Sequence, residues 1–242
     1  MASMIIIKYG GSILNPDGKY DEQAIEHLTG LLARHPKEIF CLIIGGGKIC
    51  RRLQEAAMDI LTGVIPEDQK LTASDEVGIA TTKINARYLL SRLKPRFGDD
   101  VCPEPLIDPH ARPPTGYRIY LATGAKPGHS TDYDMMVLAE SFDADKAIKL
   151  SDFPVVLDVP ALKFDKEKVQ EYQPLPEMSW GKMRELVGDK WVAGGNYPLD
   201  PAACQIGKSR AYKGFSLFIG QYSELDKMVA GKPFKGTVVS GR

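Results

Sequence analysis

Three times in this chain an apolar run ends at glycine and opens into a candidate helix. The most demanding copy is Cys41-Leu42-Ile43-Ile44-Gly45-Gly46-Gly47-Lys48-Ile49-Cys50-Arg51-Arg52. A short, unbroken apolar run suits a strand covered on both faces. Three successive glycines let backbone approach backbone or ligand with no Cβ in the way. The amides at the following helix start then favour an anion. Lys48 and Arg51 add cations, and an arginine fork grips phosphate or carboxylate oxygens in two places. A tight turn with solvated basic residues would explain one such segment. The repetition is what points to a ligand.

The first copy is the strand Met4 to Tyr9, followed by Gly10-Gly11-Ser12. Lys8 near the end of that strand reads either as an edge lysine reaching solvent or as an ammonium aimed at a phosphate held by the turn. The third copy is the strand Arg118 to Ala122, which runs into Thr123-Gly124-Ala125-Lys126-Pro127-Gly128-His129-Ser130-Thr131-Asp132. Ser130 and Thr131 can cap the helix Asp132 to Glu140 or donate to phosphate oxygens.

Between these copies the chain reads as alternating strands and helices. Helices are expected over Asp21 to Arg34, Ile49 to Leu61, Asp75 to Leu93, Met178 to Val187, Asp200 to Lys208 and Ser223 to Ala230. Strands are expected over Lys146 to Leu150, Phe215 to Ile219 and Gly236 to Val239. Pro66 to Thr72 reads as a polar connection. Pro95 to Gly116, rich in proline, reads as an extended connection with a short strand near Val101 to Ile107. Ala193 to Leu199 reads as a loop. Asn85 is a mediocre helix former inside a helix, so a hydrogen-bonding task is expected of it. Trp180 and Trp191 are expected in the core and His27, His35 and His110 at the surface. His129 falls inside a candidate site, in a positioning role. Such alternation predicts an α/β protein: a three-layer αβα sandwich around a mainly parallel sheet, with ligands beyond the carboxyl ends of the strands.

The chain has 242 residues, and Lys+Arg and Asp+Glu are both 31. With no net charge, nothing global draws it to nucleic acid or to an anionic membrane, so any anion affinity is local. No apolar run approaches a membrane span, and Met1 to Ile7 lacks the basic start of a signal peptide. The four scattered cysteines suit free thiols in a reducing cytoplasm.

Taken together these motifs resemble the amino acid kinase family, most nearly its archaeal-type uridylate (UMP) kinases. The stretches that carry the likeness are Lys8-x-Gly-Gly-Ser, Gly-Gly-Gly-Lys-x-x-Arg at 45–51, Asp75-x-x-Gly78-Ile79-x-x-Thr82-Lys83-x-Asn85-Ala86, and Pro127 to Asp132 with Leu138-Ala139-Glu140. The resemblance implies one domain, with 1–145 binding the acceptor and 146–242 the nucleotide. It implies transfer of the ATP γ-phosphoryl group to a phosphorylated acceptor, UMP giving UDP, with Mg²⁺, in a cytoplasmic homo-oligomer (dimer or hexamer). By the same likeness Lys8 would neutralise charge on the transferred group, and Asp132 would orient the lysine or magnesium. Gly10, Gly11, Ser12, Gly45, Gly46, Gly47, Lys48, Arg51, Ser130 and Thr131 would bind phosphate, and Asp75 the acceptor ribose. Ser151, Asp152 and Asp158 would lie on the nucleotide side, with no dedicated protein metal site.

One stretch departs from the family. Where uridylate kinases carry an Asp-Gly pair, this chain has Pro154 and Val155. Proline fixes φ and lacks an N–H, and valine disfavours positive φ. The acceptor side thus reads as intact and the donor side as rebuilt. A non-catalytic nucleotide or oxyanion protein (molybdate, for example) on the same scaffold stands as the alternative, beside a kinase for another phosphate or carboxylate acceptor.

Overall fold

A computed structural model describes residues 3–192 and 195–241. The elements run Met4–Tyr9 (β1), Gly11–Leu14 (α1), Glu22–Arg34 (α2), Ile39–Ile44 (β2), Gly47–Leu61 (α3), Lys70–Phe97 (α4), Ile119–Ala122 (β3), Thr131–Ser141 (α5) and Lys146–Leu150 (β4). They continue with Val156–Leu157 (β5), Pro174–Leu175 (β6), Glu177–Met178 (β7), Trp180–Val187 (α6), Pro201–Arg210 (α7), Ser216–Gly220 (β8), Leu225–Val229 (α8) and Gly236–Val239 (β9). One seven-stranded sheet has the order β3-β2-β1-β4-β8-β9-β7. All its pairings are parallel except β8 with β9. The expected α/β class, with a mainly parallel sheet between helical layers, is what the chain forms.

The period-two alternation of the strands assigns their side chains to two cores. Ile5, Ile7 and Tyr9 of β1 face one side, with Phe40, Leu42 and Ile44 of β2, and are covered by Leu28 and Leu32 of α2, Leu89 and Leu93 of α4 and Met228 of α8. Met4 and Ile6 face the other side, with Cys41 and Ile43, under Met135 and Leu138 of α5, Trp180 and Met183 of α6 and Cys204 of α7. Lys8 has the parity of Met4 and Ile6, which turns it toward α5.

The helix ends follow local chemistry. Asp21 caps α2 by accepting from the amides of Gln23 and Ala24, and Asp200 caps α7 with Pro201 in its first turn. α3 buries none of its residues and packs mainly along α4.

Several expectations are corrected. α4 begins at Lys70 rather than Asp75, because a 3₁₀ turn over Glu67–Gln69 feeds it, so neither Thr72 nor Ser74 is its cap. It also runs through Pro95 to Phe97. A proline in the last turn forfeits a single backbone bond to Ser91, and Gly98 at φ 55° then stops the helix. The Val101–Ile107 segment makes two isolated bridges, Val101 with Ile119 and Leu106 with Ala122, instead of a strand. Met178 belongs to β7, and Ser179 caps α6. Trp191 is exposed rather than core, and the expected loop residues Ala193 and Gly194 lie outside the described residues. His27 is half-buried and engaged: Nδ1 lies 2.7 Å from the Tyr222 hydroxyl and Nε2 2.7 Å from Asp226, joining α2 to the C-terminal turn. No helix among the described residues is long and apolar enough to cross a membrane.

Candidate active site

The two glycine turns at the carboxyl ends of β1 and β2 pack backbone against backbone. A Cβ placed on Gly11 would fall on the Gly47 amide, and one on Gly45 would lie 2.6 Å from the Gly11 nitrogen. Gly47 takes φ 67°, and Asn15 Oδ1 fills the place its Cβ would need. From behind, the buried Asn85 of α4 donates from Nδ2 to the carbonyls of Gly45 (2.8 Å) and Gly46 (3.0 Å), while its Oδ1 accepts from the Tyr20 hydroxyl (3.1 Å). That is the hydrogen-bonding task expected of an asparagine inside a helix.

The third glycine turn closes onto the same place. Gly124 donates its amide to Thr82 Oγ1 (3.0 Å), and Gly128 donates to Asp75 Oδ2 (2.8 Å). Asp75 thus fastens the turn to α4 from its second helical turn and is not a helix cap. Ser130 caps α5 by accepting from the Tyr133 amide (3.1 Å), so that hydroxyl is partly committed to structure. Asp134, fully buried one turn into α5, has one oxygen accepting from the Ala125 amide, and burial pushes its carboxyl up to about 6.

At the centre lies Asp132. Lys8 Nζ donates to its Oδ1 (2.6 Å) and Lys149 Nζ to its Oδ2 (2.8 Å). Lys149 also donates to the Pro198 carbonyl (2.7 Å). Burial alone would raise the Asp132 carboxyl, but the Lys149 and Lys8 ammoniums outweigh it and hold the group well below the usual carboxylate range. Burial lowers the Lys149 ammonium, and Asp132 acts against that. The sequence reading assigned Lys8 and Asp132 and missed Lys149. Both lysines are the next-to-last residue of their strand, but β4 also carries Lys146, so Lys149 does not stand out as Lys8 does.

Two pockets lie near this bridge, one through Thr131, the neighbour of Asp132, and the other through Lys149. One is lined by Cys50, Gln54, Asp75, Gly78, His129 and Thr131, at the mouth of the glycine turns. The His129 imidazole lies tilted against the Tyr133 ring with centroids 4.4 Å apart, and burial and Lys126 lower its pKa. The other is a cleft walled by Phe153, Val155, Phe164 and Tyr197, with Lys149 and Ser151 in its lining. Ser151 and Asp152 also line an adjoining groove with Ser12, which places Ser12 on that side. Asp158 does not join the cleft; it pairs with Lys182 at 2.8 Å. Lys48 lies 3.8 Å from Asp17 at the surface, and Arg51 is exposed on the first turns of α3. The rebuilt segment follows its own course: Val156–Leu157 pairs antiparallel with Pro174–Leu175. Among described non-glycine residues only Asp143 has positive φ, so Val155 carries no such strain.

Magnesium, which the family resemblance implies, finds no protein cage here. No group of three His, Cys, Asp or Glu residues among those described could hold a metal, and both Asp132 oxygens are taken by ammoniums.

Glycine turns and a lysine–carboxylate–lysine bridge, between two pockets at the carboxyl edge of a parallel sheet, define a phosphotransferase type of site. The comparisons agree. The amino acid kinase family model matches residues 115–214. The uridylate kinase of Methanobrevibacter smithii is 32% identical over 205 residues, 84% of each chain. That of Methanocorpusculum labreanum is 30% identical over 204 residues, 84% of this chain and 80% of its own. In fold, the crystal structure of uridylate kinase from Archaeoglobus fulgidus superposes with a TM-score of 0.75 at 22% identity, covering 98% of this chain and 99% of that one. The chain belongs to the amino acid kinase family, as a uridylate kinase-like phosphotransferase.

Proposed function

We propose that this protein transfers the γ-phosphoryl group of ATP to UMP, giving ADP and UDP. The observation that carries the reading is the Lys8–Asp132–Lys149 bridge between the two pockets. In this reading residues 1–145 supply the acceptor pocket and 146–242 the donor cleft. An oxygen of the acceptor phosphate forms a bond to the γ-phosphorus. The bond from that phosphorus to the β–γ bridging oxygen breaks, and its electron pair leaves with ADP. A phosphate oxygen already carries its lone pair, so no general base is required. The protein's contribution is positioning and charge stabilisation. Lys8 faces the transferred group. The glycine-turn amides, Arg51 and Thr131 hold the acceptor phosphate, and Asp75 the acceptor ribose. Phe153, Phe164 and Tyr197 offer the donor base apolar walls. Magnesium would arrive on the donor phosphates, and the active form would be a homo-oligomer.

Coupled ADP release with UMP, CMP and AMP as acceptors tests the reading. UMP-dependent release is the expected result. Thermal stabilisation by UMP with no release from any donor would instead favour a non-catalytic binder. Arg51→Ala is expected to raise the acceptor KM about 10- to 100-fold, the effect of losing a charge-assisted hydrogen bond. The donor KM should stay within about threefold, because this reading assigns Arg51 to the acceptor phosphate; an equal rise for both would remove Arg51 from that role.

A further inference from the structure

Gly47, Cys50 and Gln54 stand at i, i+3 and i+7 on α3 and so share one face of it. That face meets α4 at Gly78, where a Cβ would lie 3.3 Å from Gln54 Nε2 and 3.7 Å from Cys50 Sγ. Gln54 and Gly78 line the pocket of Asp75 and Thr131, together with Gly124 and Lys126 of the third glycine turn. Two glycines in one lining leave bare backbone where side chains would otherwise stand, which suits a flat ring. From Gly47 to Gln54 the helix rises about 10 Å, comparable with the length of a nucleoside monophosphate. With the acceptor phosphate on the glycine-turn amides and the ribose at Asp75, the base comes to the Gln54 end of the pocket.

The polar groups at that end are few. Half-buried Gln54 donates from Nε2 to the Ser74 carbonyl (2.9 Å). A carbonyl only accepts, so this bond fixes which way round the carboxamide sits and leaves Oε1 without a partner among the described residues. The Thr82 hydroxyl, also in the lining, is committed: it donates to the Ile79 carbonyl (2.8 Å) and accepts from the Gly124 amide (3.0 Å). The exposed Lys126 makes no ion pair among the described residues. A carboxamide oxygen can only accept and an ammonium can only donate.

An acceptor beside a donor reads an imide edge. Uracil presents its N3–H next to the O4 acceptor, whereas cytosine presents a lone pair at N3 next to an amino group. We propose that Gln54 is a specificity-determining residue for the acceptor base: its Oε1 accepts from the N3–H of uracil while Lys126 donates to O4. Cytosine in the same place sets lone pair against lone pair and amino group against ammonium. This rests on the phosphoryl-transfer reading and supplies a physical reason for UMP over CMP. A glutamine that merely ties α3 to α4 through Ser74 would not distinguish one pyrimidine from the other.

The test uses UMP, CMP and 3-methyluridine 5′-monophosphate, in which a methyl group replaces the N3 hydrogen, as acceptors in coupled ADP release. Wild type should favour UMP over each of the others by about tenfold or more in kcat/KM, the effect of leaving a desolvated acceptor unpaired. Gln54→Met keeps the length of the side chain and removes both polar atoms. It should lower kcat/KM for UMP about 3- to 10-fold, as for one neutral hydrogen bond, and change CMP less than about threefold. The donor KM should not move. Lys126→Met should lower the UMP-to-CMP ratio as well. Equal weakening of UMP and CMP in Gln54→Met overturns the proposal and leaves Gln54 as a tie between helices. So does a wild type that phosphorylates the methylated nucleotide as readily as UMP. If Gln54→Met does not fold, Lys126→Met decides: a lowered UMP-to-CMP ratio supports the assignment, and an unchanged ratio overturns it. A wild-type protein that releases ADP with no nucleoside monophosphate refutes the phosphoryl-transfer reading itself, whereas UMP turnover without discrimination between the bases refutes only this assignment.

Discussion

Asp132→Asn is expected to lower kcat by about a hundredfold or more and to destabilise the fold by about 3 kcal/mol. The rate effect follows from losing the group that fixes both lysines; removing one preorganised electrostatic group costs about 10²–10³ in kcat. The stability effect follows from leaving two largely buried ammoniums with no counter-charge, since breaking a buried pair costs about 3–5 kcal/mol. For a chain of this size that is a fall of roughly 6–12 °C in Tm. The pH dependence supplies a second check. The folded carboxyl sits well below its unfolded value, so as pH falls the unfolded chain takes up the proton first. The pair's stabilisation is therefore intact above about pH 4 and drains away below it. The asparagine variant should show a shallower acid limb in a plot of Tm against pH. An unchanged acid limb would mean that Asp132 is not held as the paired anion.

The second large effect is expected of Gly11→Ala. The added methyl would fall on the backbone of Gly46 and Gly47, which cannot swing aside as a side chain can. The two turns must separate, and overpacking of this kind costs about 1–3 kcal/mol or more. Because Gly47 is locked by Asn15 and Gly46 by Asn85, the displacement should carry the acceptor site with it. Chemical denaturation should show a loss near the top of that range, with turnover below a tenth of wild type. Gly10→Ala is the built-in control: its Cβ would meet only Ser12 Oγ at 3.4 Å, so about 1 kcal/mol or less is expected. Equal effects at the two positions would contradict the backbone packing described for these turns.

The order of the longer strands and helices was readable because those strands run into breakers and those helices have apolar faces, whereas the two-residue strands β5, β6 and β7 are too short to show a period. Lys8 was readable because a glycine turn follows it at once, and Asn85 because it is a poor choice for a helix interior. Lys149 could not be understood from its neighbours, since its meaning comes from the register of β4 against β1, which distant segments decide. The start of α4 was misplaced because an ordinary capping residue, Ser74, lies inside a helix that a 3₁₀ turn had already begun. Pro95 misled in the same way: packing of Leu89 and Leu93 outweighs one missing hydrogen bond. Trp191 was assigned to the core by residue type alone, and residue type is a poor guide for an aromatic outside any periodic segment.

The contrast between α3 and β1 has a mechanical consequence. Lys8 rides on a strand paired on both edges and covered on both faces, so shifting it means breaching the whole sheet. Arg51 rides on a helix with no buried residue, packed chiefly on α4 with a smaller contact to α1. Local opening is cheapest where few apolar contacts resist it. The charged centre of this site is thus carried by the stiffest part of the fold, and Arg51 by one of the most yielding.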